Sequence, residues 1–154
     1  MKEDIQLLDY STDLQPFFEK ISKEWVEHYF ALEPWDIEQL RDPDLHIISK
    51  GGVILFAKSG NEIVGTVGLM PVSPGVFELV KMGVTASARG QNIGQLLAAG
   101  ILDKARAIGA SKIILYTNSK LGAALHIYRK MGFRELVPEA GKYQRCDIKM
   151  ELEL

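Results

Sequence analysis

The stretch with the clearest chemical potential is Val84-Thr-Ala-Ser-Ala-Arg-Gly-Gln-Asn-Ile-Gly94. It leaves an apolar, β-branched run, makes a tight turn and opens a segment of helical period. The first turn of a helix presents N–H groups with no partner inside the helix and a partial positive charge, a combination that holds anions such as phosphate. Gly90 and Gly94 let main chain approach a ligand without a Cβ in the way, and Arg89 adds positive charge. A plain turn that needs two glycines accounts for these residues equally well. Two familiar phosphate-binding patterns fit poorly. No G-x-x-x-x-G-K-[ST] string occurs, and the strands before the loop are joined by short turns rather than by the helices of βαβ units. His28, His46 and His126 show no metal-ligand spacing, and a single cysteine, Cys146, excludes an intramolecular disulfide and speaks against a Cys-based zinc site. No metal is expected.

The elements that must position this loop read as follows. Residues 5–10 form an opening strand, and Ser11 or Thr12 is placed to cap the helix after it. In that helix Phe17, Ile21, Trp25 and Tyr29 recur every four residues. Pro34 and Pro43 punctuate a short helical or irregular stretch. Strand-like runs at 53–58, 63–71 and 76–85, separated by short turns, predict an antiparallel meander. Ile93, Leu97, Ile101, Ala105 and Ile108 mark one face of a helix ended by Gly109. A buried strand at 112–117, a helix at 123–131 stopped by Gly132, and two strands around a turn at 138–141 complete a mixed α+β order.

The run from 78 to 133 resembles the GNAT superfamily of N-acetyltransferases, which move an acetyl group from acetyl-CoA to an amine. Motif A of that superfamily, R/Q-x-x-G-x-G/A, is matched by Arg89-Gly90-Gln91-Asn92-Ile93-Gly94. Asn92 departs from the usual glycine, yet asparagine tolerates positive φ better than most residues. Motif B is similar to the stretch from Tyr116 to Phe133, with Asn118, Tyr128 and the closing Gly132-Phe133 all matching. The resemblance covers about residues 50 to 135 and implies a GNAT-like, mostly antiparallel sheet flanked by helices, with 1–154 as one domain. The first fifty and last twenty residues, which shape the acceptor site in the superfamily, follow in pattern only.

The resemblance also implies roles. Main-chain N–H groups of Arg89, Gly90, Gln91, Asn92, Ile93, Gly94 and Gln95 would hold the pyrophosphate of acetyl-CoA. Met82, Gly83 and Val84 would run beside its pantetheine arm like a neighbouring strand. An N–H near Met82 would face the developing oxyanion, a preorganised contribution of about 3 kcal/mol. Asn118 would touch the cofactor where two central strands part. Tyr128 matches the tyrosine that protonates the departing thiolate, and a phenol with a reference pKa near 10 suits that task; simple packing beside Leu125 and Met131 is its other reading. Glu78 matches the general base of the histone-acetylating branch, without importing a histone substrate; its other reading is a surface glutamate on an exposed strand face. Direct transfer in a ternary complex is implied, since Cys146, in the final strand, is the sole thiol for a covalent route.

Composition bounds these expectations. The 154 residues are 47% hydrophobic and 25% charged, which suits one domain with its own core. A net charge of -2 argues against a dedicated nucleic-acid binder. No apolar run is long enough for a membrane span, and Glu3, Asp4, Asp9 and Asp13 sit where a signal peptide would be apolar, so a cytoplasmic protein is expected. Residues 79–135 hold nine Lys or Arg against two acids, whereas 17–45 hold eight acids against three bases. A basic half suits the phosphates of CoA, and an acidic one suits a small cationic amine, with Trp25, Tyr29 and Trp35 as candidate lining aromatics. A solvated acidic face and a set of core aromatics explain the same residues. A homodimer is compatible with the resemblance. The rival function is a non-catalytic acyl-CoA-binding sensor or partner-binding module; a purely structural unit leaves the 89–94 loop unexplained.

Overall fold

A computed structural model describes residues 4–137 and 146–154. The element order is β1 (Ile5–Asp9), α1 (Gln15–Tyr29), α2 (Pro34–Arg41), α3 (Pro43–His46), β2 (Val53–Ser59), β3 (Glu62–Ser73), β4 (Val76–Val84), α4 (Ile93–Ala107), β5 (Lys112–Thr117), α5 (Gly122–Met131), β6 (Arg134–Leu136) and β7 (Ile148–Glu153). The strands form one sheet in the order β1-β2-β3-β4-β5-β7-β6. All neighbours are antiparallel except β4 and β5, whose parallel pairing needs the crossover through α4. This is the mixed, mostly antiparallel sheet that the sequence predicts. The expected turn at 138–141 lies outside the described residues.

Alternating side chains build a core on each face of the sheet. Leu55, Val67, Leu69 and Leu79 pack with Ile93, Leu97, Ile101 and Ala105 of α4 and Leu125 of α5. Ile54, Phe56, Met70 and Val80 pack on the other face with Phe18 of α1 and Leu40 of α2.

Three local expectations are corrected. Neither Ser11 nor Thr12 caps α1: residues Thr12–Leu14 form a separate 3-10 turn, and α1 begins at Gln15 with Pro16 in its first turn, where a missing N–H costs nothing. The period of α1 is right but its buried stripe is Phe18, Ile21, Ser22 and Val26, leaving Phe17 and Tyr29 exposed. Ile108 falls just beyond the end of α4 and is exposed as well.

The feature that shapes the site is a bulge in β4. Val80 pairs with Gly68 and Gly83 with Thr66, so Lys81 and Met82 together oppose Val67 alone. Lys81 takes φ +54, a left-handed conformation that costs a non-glycine residue about 1 kcal/mol or more. The extra residue inverts the alternation. Leu79 before it and Met82 and Val84 after it all meet the α4 side, while Val80 faces α1–α3 and Lys81 reaches Asp36 on α2. Beyond Glu78, which pairs with Ile114, β4 and β5 share no further register pairs.

Candidate active site

The parting of β4 and β5 opens a cleft between the C-terminal ends of the two strands, walled by α1 and floored by α5. Glu78, Met82 and Gly83 of β4, Asn118 after β5 and Tyr128 of α5 all line it. Glu78 is 2% exposed, which overturns the surface-glutamate alternative. Tyr128 is 6% exposed and meets the Phe133 ring edge-on at 5.8 Å. It belongs to the core and to the cleft lining at once, so its two readings do not compete. Burial pushes its phenol well above the ordinary range and keeps the proton on the oxygen.

Asn118 shapes its own turn: its Oδ1 accepts from the Lys120 N–H at 2.9 Å and its carbonyl from the Leu121 N–H at 3.0 Å. The same turn is tied to the start of β7, where the Asp147 carboxylate accepts from the Ser119 hydroxyl at 2.8 Å and N–H at 2.9 Å. These bonds hold the Asp147 carboxyl below the usual range.

The loop between β4 and α4 lies outside the cleft lining, as does Val84. Gly90 has φ +84, and Asn92 stands at the N-cap of α4 with φ +61, the conformation for which asparagine is suited. The first intrahelical bond runs from the Leu96 N–H to the Asn92 carbonyl at 3.2 Å, so the amides of Ile93, Gly94 and Gln95 precede the hydrogen-bond ladder of the helix. Arg89, Gly90, Gln91 and Asn92 are exposed around it. Ile93 is 2% exposed in the core and offers main chain only. A Cβ on Gly94 would lie 3.2 Å from Ile127 Cδ1, so this turn abuts α5 one residue before Tyr128.

Several lining residues escaped the sequence reading. Ser22 of α1 is 2% exposed and its Oγ has no hydrogen-bond partner among the described residues. Phe30 and Lys81 also line the cleft. Cys146, expected in the final strand, precedes β7 and borders the cleft too. No local signal could have found Lys81: it lies three residues after Glu78, so a regular strand would put it on the opposite face, and only the bulge brings both to the cleft. Of the three candidate aromatics only Trp25 lines the cleft. Tyr29 lies tilted beside Trp25, ring centres 5.6 Å apart, and is exposed, and Trp35 packs in the second core, edge-on to His46 at 5.2 Å. His126 is exposed.

Residues 13–133 match the model of the acetyltransferase (GNAT) family. The chain belongs to the GNAT family. N-acetyltransferase 8 of Rattus norvegicus is 30% identical over 120 residues, a match covering 70% of this chain and 54% of that relative. The chain thus spans about half the length of the curated relatives of that type. Among solved structures, a GNAT-family acetyltransferase of Staphylococcus aureus Mu50 superposes with a TM-score of 0.86 at 21% identity, covering 97% of this chain and 99% of the other. The PaiA N-acetyltransferase of Thermoplasma acidophilum, solved in complex with coenzyme A, gives 0.76 at 15% identity, covering 98% and 99%.

In this GNAT chain the residues present fit a CoA thioester. Gly90 and Asn92, both left-handed, lead into the first turn of α4, where a phosphate could be held, and the parted strands leave the β4 main chain beside the cleft. Among the described residues no helix is long and apolar enough to cross a membrane, and no cluster of three His, Cys, Asp or Glu side chains is arranged to hold a metal.

Proposed function

We propose that the protein is an N-acetyltransferase, its 154 residues acting as one domain in the cytoplasm. It moves the acetyl group of acetyl-CoA to the primary amine of a small cationic molecule by direct attack. The observation that carries this reading is the convergence of Glu78, the Met82 main chain, Asn118 and Tyr128 on one cleft beside the start of α4.

Acetyl-CoA, when bound, supplies an acyl group already activated as a thioester. The remaining work falls to the chain. Amides from Gly90 to Gln95 hold the pyrophosphate; Arg89, whose own N–H donates to the Ala86 carbonyl at 3.5 Å, contributes its side-chain charge. The Glu78 carboxylate takes the proton of the acceptor ammonium, and the Ser22 hydroxyl, which bonds no other described residue, lines the same cleft. The Met82 N–H donates to the carbonyl oxygen as it gains negative charge, which is worth about 3 kcal/mol. Tyr128, protonated at neutral pH, gives its proton to the departing thiolate, whose own proton affinity the same dry cleft raises, and regains one from the proton that the new amide nitrogen sheds.

The test begins with calorimetric titration of protein stripped of CoA. Micromolar binding of acetyl-CoA, lost when Gly94 is replaced by Trp, supports the reading; no binding at millimolar acetyl-CoA sinks it. Amine screening follows. Tyr128→Phe should then lower turnover by about a hundredfold while acetyl-CoA affinity stays the same. Tight binding without turnover on any amine would favour the non-catalytic module.

A further inference from the structure

Among the described non-glycine residues only Lys81 and Asn92 have positive φ. Asparagine is enriched in that region and lysine is not, so the β4 bulge needs something beyond local preference to hold it. That support is visible in the side chain. The Lys81 ammonium bonds the Asp36 carboxylate, and the two side chains are 3% and 0% exposed. The second oxygen of Asp36 accepts from the Glu33 N–H at 3.0 Å, and the Glu33 side chain accepts in return from the main chain of Asp36, closing a capping box at the start of α2. Glu33 lies three residues after Phe30, which lines the cleft. One buried pair therefore joins the bulge, the first turn of α2 and the link from α1.

A buried ion pair is a weak source of stability, because desolvation of both charges offsets their attraction. Its best-attested use is to fix one arrangement among several. We infer that the Lys81–Asp36 pair is a positioning device: it pins the β4 bulge to α2, and so sets the Met82–Gly83 main chain along one side of the cleft against the wall that carries Phe30. Neither residue needs to touch a reacting atom. Both act through the main chain, and the inference rests on the acetyltransferase reading for the part played by Met82.

The decisive variant is Lys81→Met with Asp36→Asn, which removes both charges together, leaves neither unpaired and keeps an acceptor for the Glu33 N–H. Its thermal midpoint, the hydrogen exchange of the peptide spanning residues 78–84, and its acetyl-CoA affinity are compared with the unsubstituted protein. A midpoint close to the unsubstituted one, with exchange at least about tenfold faster and acetyl-CoA bound at least about tenfold more weakly, is the expected result. Exchange and affinity within about twofold overturn the inference and leave the pair as structure alone. Should the double variant fail to fold, Lys81→Met alone cuts the tether and leaves Asp36 its bond from the Glu33 N–H at the start of α2. It is read by the same exchange and affinity measurements against the same limits. If the unsubstituted protein binds no acetyl-CoA, the acetyltransferase reading fails, and the exchange comparison by itself decides the tether.

Discussion

At the residue scale, the cleft assigns different tasks by environment. Glu78 and Tyr128 come from opposite sides of the β4–β5 gap, one on a strand next to a bulge and the other on a helix against Phe133. Glu78→Gln preserves shape and removes the base, so turnover should fall by about a hundredfold or more near neutral pH while acetyl-CoA binding is retained. The fall should shrink at high pH, where the amine arrives already deprotonated; a pH–rate profile for both proteins checks this. The placement of Cys146 at the cleft makes a second experiment informative. Direct transfer predicts that Cys146→Ser keeps turnover within about threefold, whereas loss of activity with an acetylated thiol trapped on the unsubstituted protein would indicate a covalent route.

At the element scale, the turn into α4 shows how far sequence could be taken. Asn92 stands where the GNAT motif usually has glycine, and it adopts the left-handed conformation that the motif requires. Asn92→Gly should therefore leave stability and acetyl-CoA binding nearly unchanged. Asn92→Val should cost about 1–2 kcal/mol and weaken binding, because a β-branched side chain is strained at positive φ; thermal melts and titrations separate the two. The loop, the meander, the helix after it and the motif around Tyr128 were legible because each has a local signature, either a period or a turn residue. The acceptor wall was less so. The stripe on α1 was placed one residue off because Phe17 and Phe18 are adjacent and equally apolar, and only contact with α2 and the sheet decides which is buried. Trp35 could not be sorted from Trp25 for the same reason. The bulge was not legible, because Lys81 is no usual residue for positive φ and its partner Asp36 lies 45 residues away, beyond any local pattern.

At the scale of the whole molecule, pH acts on stability from both ends. Glu19 is held low by Lys23 and Gln15, Asp147 by Ser119, and Glu151 by Arg134 and Lys112. Each contributes stability that is fully present above the carboxyl range of the unfolded chain, near pH 4, and is lost as pH falls from there through the lower range in which the folded carboxyls titrate. Tyr128 is raised by burial, and Tyr10 by burial and its 2.9 Å bond to Asp44. The unfolded chain releases these protons near pH 10 while the folded one keeps them, so stability declines as pH rises beyond that point. Urea midpoints across pH should show both flanks, and Tyr10→Phe should flatten the alkaline one.

The short meeting of β4 and β5 has a mechanical consequence. The sheet is two half-sheets, β1 to β4 and β5-β7-β6, welded over three register pairs and bridged by α4. A ligand lying in the gap would act as a rivet across that seam, adding contacts to both halves where the protein supplies few of its own. Saturating acetyl-CoA at a hundred times its dissociation constant should then raise stability by about 2.7 kcal/mol. The mark of a rivet is where that protection falls: amide exchange should slow in β2 and β7 alike, one in each half of the sheet, and not only in the strands that border the cleft.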